Sequence, residues 1–171
     1  MAGGCHIYVL ALGSNRPLSA RQTPARLLAE AATLIGEQAH VRATAPIFDT
    51  PPLGPSLRRY ANGALLVDSA LPPPAMLAFV QAVEARLGRR RRRRWGARSM
   101  DIDIILWSGG VWQSRPLTIP HPAFRARAFV LDPVRAIASA WRDPVTGLAV
   151  RHLHARLQKA KAKVDQPPRR H

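Results

Sequence analysis

The sequence predicts an α+β domain built on a mainly antiparallel sheet with helices packed on it. Three observations carry that expectation. Apolar periodicity along the chain reads strand, helix, strand, strand, helix, strand. The stretch from Phe48 to Tyr60 is too short to hold the crossover helix that parallel neighbours need. Finally, 171 residues that are 47% hydrophobic and 21% charged suit one globular core, and exclude fibrous and disulfide-scaffold classes.

The first segment, His6 to Leu12, is a buried strand that ends in a turn at Gly13-Ser14-Asn15. Pro24 to Ile35 follows with Leu27, Leu28, Ala31, Leu34 and Ile35 at helical spacing. Val41 to Phe48 is extended and leads into Thr50-Pro51-Pro52-Leu53-Gly54-Pro55, whose prolines forbid both helix interior and sheet pairing and so make a rigid loop. Tyr60 to Val67 is another strand. Pro72-Pro73-Pro74 opens a helix to Leu87, with Leu77, Val80, Val83, Glu84 and Leu87 on one side, and the acid on that face is anomalous. Met100 to Trp107 has strand character and Ser108-Gly109-Gly110 turns the chain. Val111-Trp112 and Leu117 to Ile119 are short strand candidates, and Phe129 to Ala138 reads as a helix interrupted early by Pro133. One domain over 1–158 and a frayed basic tail over 159–171 are expected.

Charge is the loudest compositional signal. The formal net charge is +16, from 23 arginines and three lysines against ten acids, which favours polyanionic ligands. Eight of the arginines fall between Arg86 and Arg98, six of them consecutive. Such a run repels itself unless an anion or solvent relieves it, and Trp95 beside it offers an indole for stacking on a flat heterocycle. Read alone, the run is a solvated loop or a nonspecific nucleic-acid patch. A single cysteine, Cys5, cannot form an internal bridge. No stretch approaches the roughly 18 apolar residues of a membrane span, and the apolar stretch from Ile7 to Leu12 has no basic leader, so a cytoplasmic protein is expected.

Asp101-Ile102-Asp103 changes the reading of that basic run. Residues two apart on a strand share a face, about 6.5–7 Å from one another, so the two carboxylates project together while Ile102 and Ile104 go to the other face. Hard oxygen ligands so placed can converge on one or two Mg²⁺ ions that keep waters and substrate phosphates as their remaining ligands. A solvated sheet edge is the bland alternative, but this pair starts an apolar strand directly after the densest cationic segment. Metal needs carboxylates, and polyphosphate needs guanidinium forks. The Thr50 to Pro55 wall, with Tyr60 and Asn62 at strand spacing, suits a flat heterocycle. His121, Arg127 and Phe129 read individually as ordinary surface or core residues.

Four motifs in order resemble the 6-hydroxymethyl-7,8-dihydropterin pyrophosphokinase family: Ala11-Leu12-Gly13-Ser14-Asn15, Thr50-Pro51-Pro52-Leu53-Gly54, Arg94-Trp95-Gly96-Ala97-Arg98-Ser99-Met100-Asp101-Ile102-Asp103 and Ile119-Pro120-His121-Pro122. Each is weak alone; in register from about His6 to Gly147 they are specific. The resemblance implies a ferredoxin-like fold, and transfer of pyrophosphate from ATP to the pterin alcohol with release of AMP, in folate biosynthesis. It implies that Asp101 and Asp103 hold two Mg²⁺. Arg89, Arg91, Arg94 and Arg98 would serve phosphate contact or catalytic loop closure, with Arg89 and Arg98 catalytic beside the acids. Gln81, Glu84, Trp95, Ile104, Thr118, His121 and Arg127 would surround ATP. Thr50, Pro51, Pro52, Leu53 and Asn62 would read the pterin between Tyr60 and Phe129, with Trp95 nearby. The sequence departs from the family pattern at Ala97, where proline is usual, and at Pro116, where an arginine is expected.

ATP and the pterin are thus the expected partners of a monomer, with no membrane. Nucleic acid is not expected, although the basic tail could bind polyanions. Two other readings are an arginine-rich RNA-binding module, which leaves the acid pair without a purpose, and a noncatalytic relative that keeps the cleft as a ligand sensor.

Overall fold

The computed structural model describes residues 4–15, 21, 23–50, 60–88 and 99–164. Its centre is β1 (His6–Ser14), where Tyr8, Val9, Leu10, Ala11 and Leu12 are consecutively buried. A strand apolar on both faces must be covered on both. It pairs antiparallel with β4 (Tyr60–Ser69) on one side and β5 (Asp101–Trp107) on the other. Both β2 (His40–Thr44) and β3 (Phe48–Thr50) pair with β4, so the sheet order is β2-β4-β1-β5 with β3 beside the first half of β4. A small hairpin, β6 (Trp112–Ser114) and β7 (Leu117–Ile119), follows.

Helices cover the two faces in pairs. On one face lie α1 (Pro24–Gly36) and α2 (Pro73–Arg86), whose Leu27, Leu28, Ala31, Ile35, Met76, Val80 and Val83 pack on Leu10, Leu12, Leu65 and Ile102. Thr23 starts α1 by accepting the Arg26 N–H at 3.4 Å, and Pro24 occupies a first-turn position that has no intrahelical use for an N–H. Caps of this kind contribute about 1 kcal/mol. The other face carries α3 (Ala128–Ala138) and α4 (Val150–Val164), whose Val130, Leu131, Val134, Val150 and Leu153 meet Val9, Ala11, Ala64, Ile105 and Leu106.

Strand β5 changes phase midway. Val9 pairs with Leu106 but Leu10 pairs with Ile104, so Ile105 is an extra residue in a β-bulge. Ile102 and Ile104 therefore face α1 and α2, whereas the consecutive Ile105 and Leu106 both join the α3 and α4 side.

The predicted antiparallel α+β architecture is the one observed. Four details differ. The extended piece at 41–48 is two strands, because the chain leaves the ladder between Thr44 and Phe48. The hairpin strand starts at Trp112 and reaches Ser114 instead of covering Val111-Trp112. Pro133 does not interrupt α3; in the second turn it deprives only the Phe129 carbonyl of its donor, and its ring is buried. The expected frayed tail from 159 is corrected most: α4 runs unbroken through Lys159, Lys161 and Lys163 to Val164, across the expected boundary at 158. The helix is anchored by Val150 and Leu153 and by a 2.7 Å contact between His154 Nε2 and Asp132 Oδ1 of α3. Residues 165–171 lie outside the described residues. Among those described, no helix is long and apolar enough to cross a membrane.

The turn between α3 and α4 is built on a buried charge. Asp143 is fully buried and accepts Arg125 Nε at 2.6 Å, Arg125 Nη2 at 2.7 Å, the Thr146 hydroxyl at 2.6 Å and the Val145 N–H at 3.1 Å. Burial alone pushes this carboxyl up, but the Arg125 fork, Thr146 and Val145 outweigh it and bring it from 3.8 down to about 2. Arg125 sits in a single 3-10 turn (Phe124–Ala126), two residues before Arg127. A depressed carboxylate stabilises the fold above its unfolded pKa and loses that contribution as pH falls through the folded one. Asp143→Ala is expected to cost about 3–5 kcal/mol at pH 7, since it strands a partly buried guanidinium. Urea unfolding should show the gap between wild type and variant shrinking as pH is lowered from 3.8 toward 2.

Candidate functional site

The cleft begins where β5 begins. Asp101 pairs with Gly13, Ile102 with Leu12 and Asp103 with Ala11. Because Ile102 and Ile104 turn into the core beneath α1 and α2, both carboxylates must project from the opposite face. There they line a cavity of about 570 Å³ with Ala11 to Ser14 of β1 and the following Asn15, Tyr60 and Asn62 of β4, and Arg127, Phe129 and Val130 at the start of α3.

Two chemistries meet in this cavity. At one side are the acids, with the Asp103 side chain 44% exposed and thus open to a ligand. Among the described residues no group of three or more His, Cys, Asp or Glu side chains forms a self-sufficient metal cage. Two hard carboxylates without a third suit Mg²⁺, which ordinarily takes one or two protein carboxylates and completes its shell with water and phosphate oxygens. The other side is aromatic and amide. Tyr60 and Phe129 offer rings. Asn62 is buried, and its Nδ2 donates to Thr50 Oγ1 at 2.9 Å, which fixes the amide plane and leaves a carbonyl oxygen and a second N–H for the edge of a heterocycle. The Arg127 guanidinium stands 5.8 Å from the Phe129 ring centroid, a cation–π contact that places positive charge between the two sides.

His121 approaches from the β7 side. Its main-chain N–H donates to Ile105 O at 3.0 Å, so the ring is hung from β5 itself. Nδ1 accepts the Ala123 N–H at 3.2 Å, and Nε2 lies 3.9 Å from Asp103 Oδ2. Burial lowers the imidazole pKa; Asp103 pulls it up and Arg127 pushes it down, with a net decrease. A neutral ring with Nδ1 occupied as acceptor carries its proton on Nε2, toward the acid.

Behind the cleft wall, polar groups are engaged in structure. Glu84 is buried, and its Oε1 accepts the Ile102 N–H at 2.7 Å, on the open edge of β5. The Ser14 hydroxyl donates to the Ser99 carbonyl, and the Ser99 hydroxyl donates to Leu87 O at 3.2 Å.

The structure therefore brings together Tyr60, Asn62, Asp101, Asp103, Arg127 and Phe129 as cavity lining, with Thr50 and His121 joined to it by the contacts above. Four of the residues expected around ATP lie outside the lining of this cavity. Glu84, expected on the nucleotide side, is buried and braces β5, which accounts physically for its place on an apolar face. Ile104 lies in the core at 4% exposure, on the face away from the carboxylates. Gln81 and Thr118 are exposed, on α2 and β7, and neither lines the cavity. Pro51, Pro52, Leu53, Arg89, Arg91, Arg94, Trp95 and Arg98 lie outside the described residues. The 11–15 lining entered the sequence reading only as a turn and as a family motif, with no place assigned in the site, and Val130 entered it only as part of a helix.

Fold and site define a class: a ferredoxin-like α+β protein with a cleft that sets paired carboxylates and a guanidinium beside an aromatic wall, the arrangement of a phosphate-handling enzyme with a flat-ring substrate. Comparison with known proteins is specific. The family model for 7,8-dihydro-6-hydroxymethylpterin-pyrophosphokinase matches residues 9–139, and the chain belongs to that family. Curated relatives named 2-amino-4-hydroxy-6-hydroxymethyldihydropteridine pyrophosphokinase include one from Bacillus subtilis, 32% identical over 94% of this chain and 95% of its own length. Another, from Pseudomonas aeruginosa, is 38% identical over 81% of this chain and 83% of its own. Among solved structures, wild-type HPPK-DHPS from Plasmodium falciparum superposes with a TM-score of 0.74 at 13% identity, over 95% of this chain. This chain spans 46% of that one, and the likeness bears on the fold alone.

Removing the buried brace tests the local account. Glu84→Ala leaves the Ile102 amide without its acceptor and is expected to cost about 1–3 kcal/mol, read as a lower urea midpoint.

Proposed function

We propose that this protein transfers pyrophosphate from ATP to the hydroxymethyl group of 6-hydroxymethyl-7,8-dihydropterin, releasing AMP, as a step of folate biosynthesis. Family membership supports the reaction class. The observation that carries the reading on to this chain's residues is the meeting of Asp101 and Asp103 with Tyr60, Asn62 and Phe129 in one cavity, a charged half for a triphosphate and a flat half for a pterin.

In this reading the pterin lies between Tyr60 and Phe129, and Asn62, held in orientation by Thr50, reads its edge. Arg127 and the Nε2–H of His121 face phosphate oxygens, where a positive charge and a donor stabilise the charge that develops during transfer, and the arginine segment would add to that charge. Mg²⁺, as two ions held by Asp101 and Asp103, supplies further positive charge to the phosphates when bound. The hydroxymethyl oxygen forms its bond to the β-phosphorus as the α,β-bridging oxygen departs with AMP, and the hydroxyl proton is released. No protein nucleophile is required, since alignment and charge neutralisation are what such transfers need. The acid pair disfavours an RNA-binding module, because carboxylates at the centre of the cleft repel phosphate unless a cation intervenes.

The deciding measurement is AMP formation from Mg-ATP and the pterin alcohol in a coupled assay. Sustained AMP release is expected, and its absence would leave only a ligand sensor. Asp103→Ala should abolish AMP release while pterin binding, followed by fluorescence, stays detectable; normal turnover by this variant would overturn the mechanism. Phe129→Ala should raise the pterin KM by about two- to tenfold, as expected for loss of a stacked ring worth about 0.5–1.5 kcal/mol.

A further inference from the structure

Asp101 is held on more sides than a strand residue at the start of a ladder ordinarily is. Its own register partner is Gly13, and beyond that pair the β1–β5 ladder stops. Ser14 continues the connection by other means: its buried hydroxyl reaches the carbonyl of Ser99, two residues before Asp101. The Ser99 hydroxyl in turn donates to Leu87 O, the residue that ends α2. One turn earlier on the same helix, Glu84 takes the N–H of Ile102, the residue after Asp101. The C-terminal end of α2 thus grips the chain on both flanks of one carboxylate, and β1 grips it from a third direction.

Local folding alone does not account for this arrangement. Ser14 and Ser99 are 2% and 3% exposed, in surroundings where apolar side chains would fill the space without hydrogen-bond cost. The chain immediately leaves the helix through Gly88 at φ +94°, a left-handed turn that glycine tolerates best. Leu87 and Ser99 therefore fix the two ends of the intervening segment to each other, whatever the segment does between them.

We infer that Ser14 and Ser99 are positioning residues for the reaction: a hydroxyl relay that holds Asp101 at the orientation in which it binds the cation. The inference rests on the reading that Asp101 and Asp103 are metal ligands. Partners hydrogen-bonded directly to a metal ligand commonly contribute about ten- to a hundredfold to metal affinity; Ser14 and Ser99 act on Asp101 through the main chain beside it, so the lower end of that range is the effect to look for here. A relay that served stability alone would lower the unfolding midpoint and leave cation binding where it was.

The test is a Mn²⁺ titration followed by electron paramagnetic resonance, on the full chain with a nonhydrolysable ATP analogue, alongside urea unfolding. Ser99→Ala is expected to weaken Mn²⁺ uptake by about tenfold, and Ser99→Thr, which keeps the hydroxyl, to stay within about twofold of wild type. Pterin binding should be unchanged in both. Ser14→Ala removes the second link, and serves as the measured variant if Ser99→Ala does not fold; it should shift the Mn²⁺ curve in the same direction. Wild-type Mn²⁺ affinity in a folded alanine variant with a lowered urea midpoint would overturn the relay and leave the metal reading intact. Failure of the wild type itself to take up Mn²⁺ with the nucleotide analogue would overturn the metal reading, and the relay with it.

Discussion

The register of β5 against β1 is the constraint on which the rest of this molecule depends. Pairing Asp101 with Gly13 and Asp103 with Ala11 sends two isoleucines into the core and two carboxylates into the cleft. A shift of one residue would exchange them, burying two charges and exposing two apolar side chains, a penalty far larger than the net stability of a domain this size. The core and the chemistry are therefore secured by a single pairing. Its open edge at Ile102 is closed by the Glu84 side chain, a hydrogen bond where a further strand would otherwise add.

Electrostatics divide the molecule along the same line. A chain of net charge +16 has a strong tendency to attract anions, yet its cleft presents two acids beside Arg127 and a neutral His121. In the proposed reaction, such a site would favour phosphate that arrives with a cation over phosphate alone. The Arg125–Asp143 pair contributes at a distance, since it holds the 3-10 turn from which Arg127 and Phe129 are displayed.

Much of this was readable from residues alone, and the failures have physical causes. The continuous apolar runs of β1 and β4 and the helical stripe of α1 dominate their segments, so those elements are plain. The shared face of Asp101 and Asp103 follows from strand periodicity alone. Helix α4 was missed because its buried stripe rests on Val150, Leu153 and the half-buried Leu157, set among arginines and lysines that read as a solvated tail. Glu84 was recognised as anomalous without its partner being visible, since an edge-strand amide leaves no mark in sequence. The Ser14 to Ser99 contact joins residues 85 positions apart, and serine at a turn has many local uses, so nothing in the string of letters singles it out.

The bulge at Ile105 has an architectural consequence. Upstream of it β5 is an acidic rim; downstream it runs into a cluster in which Trp107 packs edge-on against Trp112 and tilted against His6. Because the extra residue resets the alternation between these halves, the strand behaves as two modules joined by a slip coupling. The aromatic half thus takes its facing from the residues beyond the bulge, while the acidic half keeps the facing set by its pairing with Ala11 and Gly13.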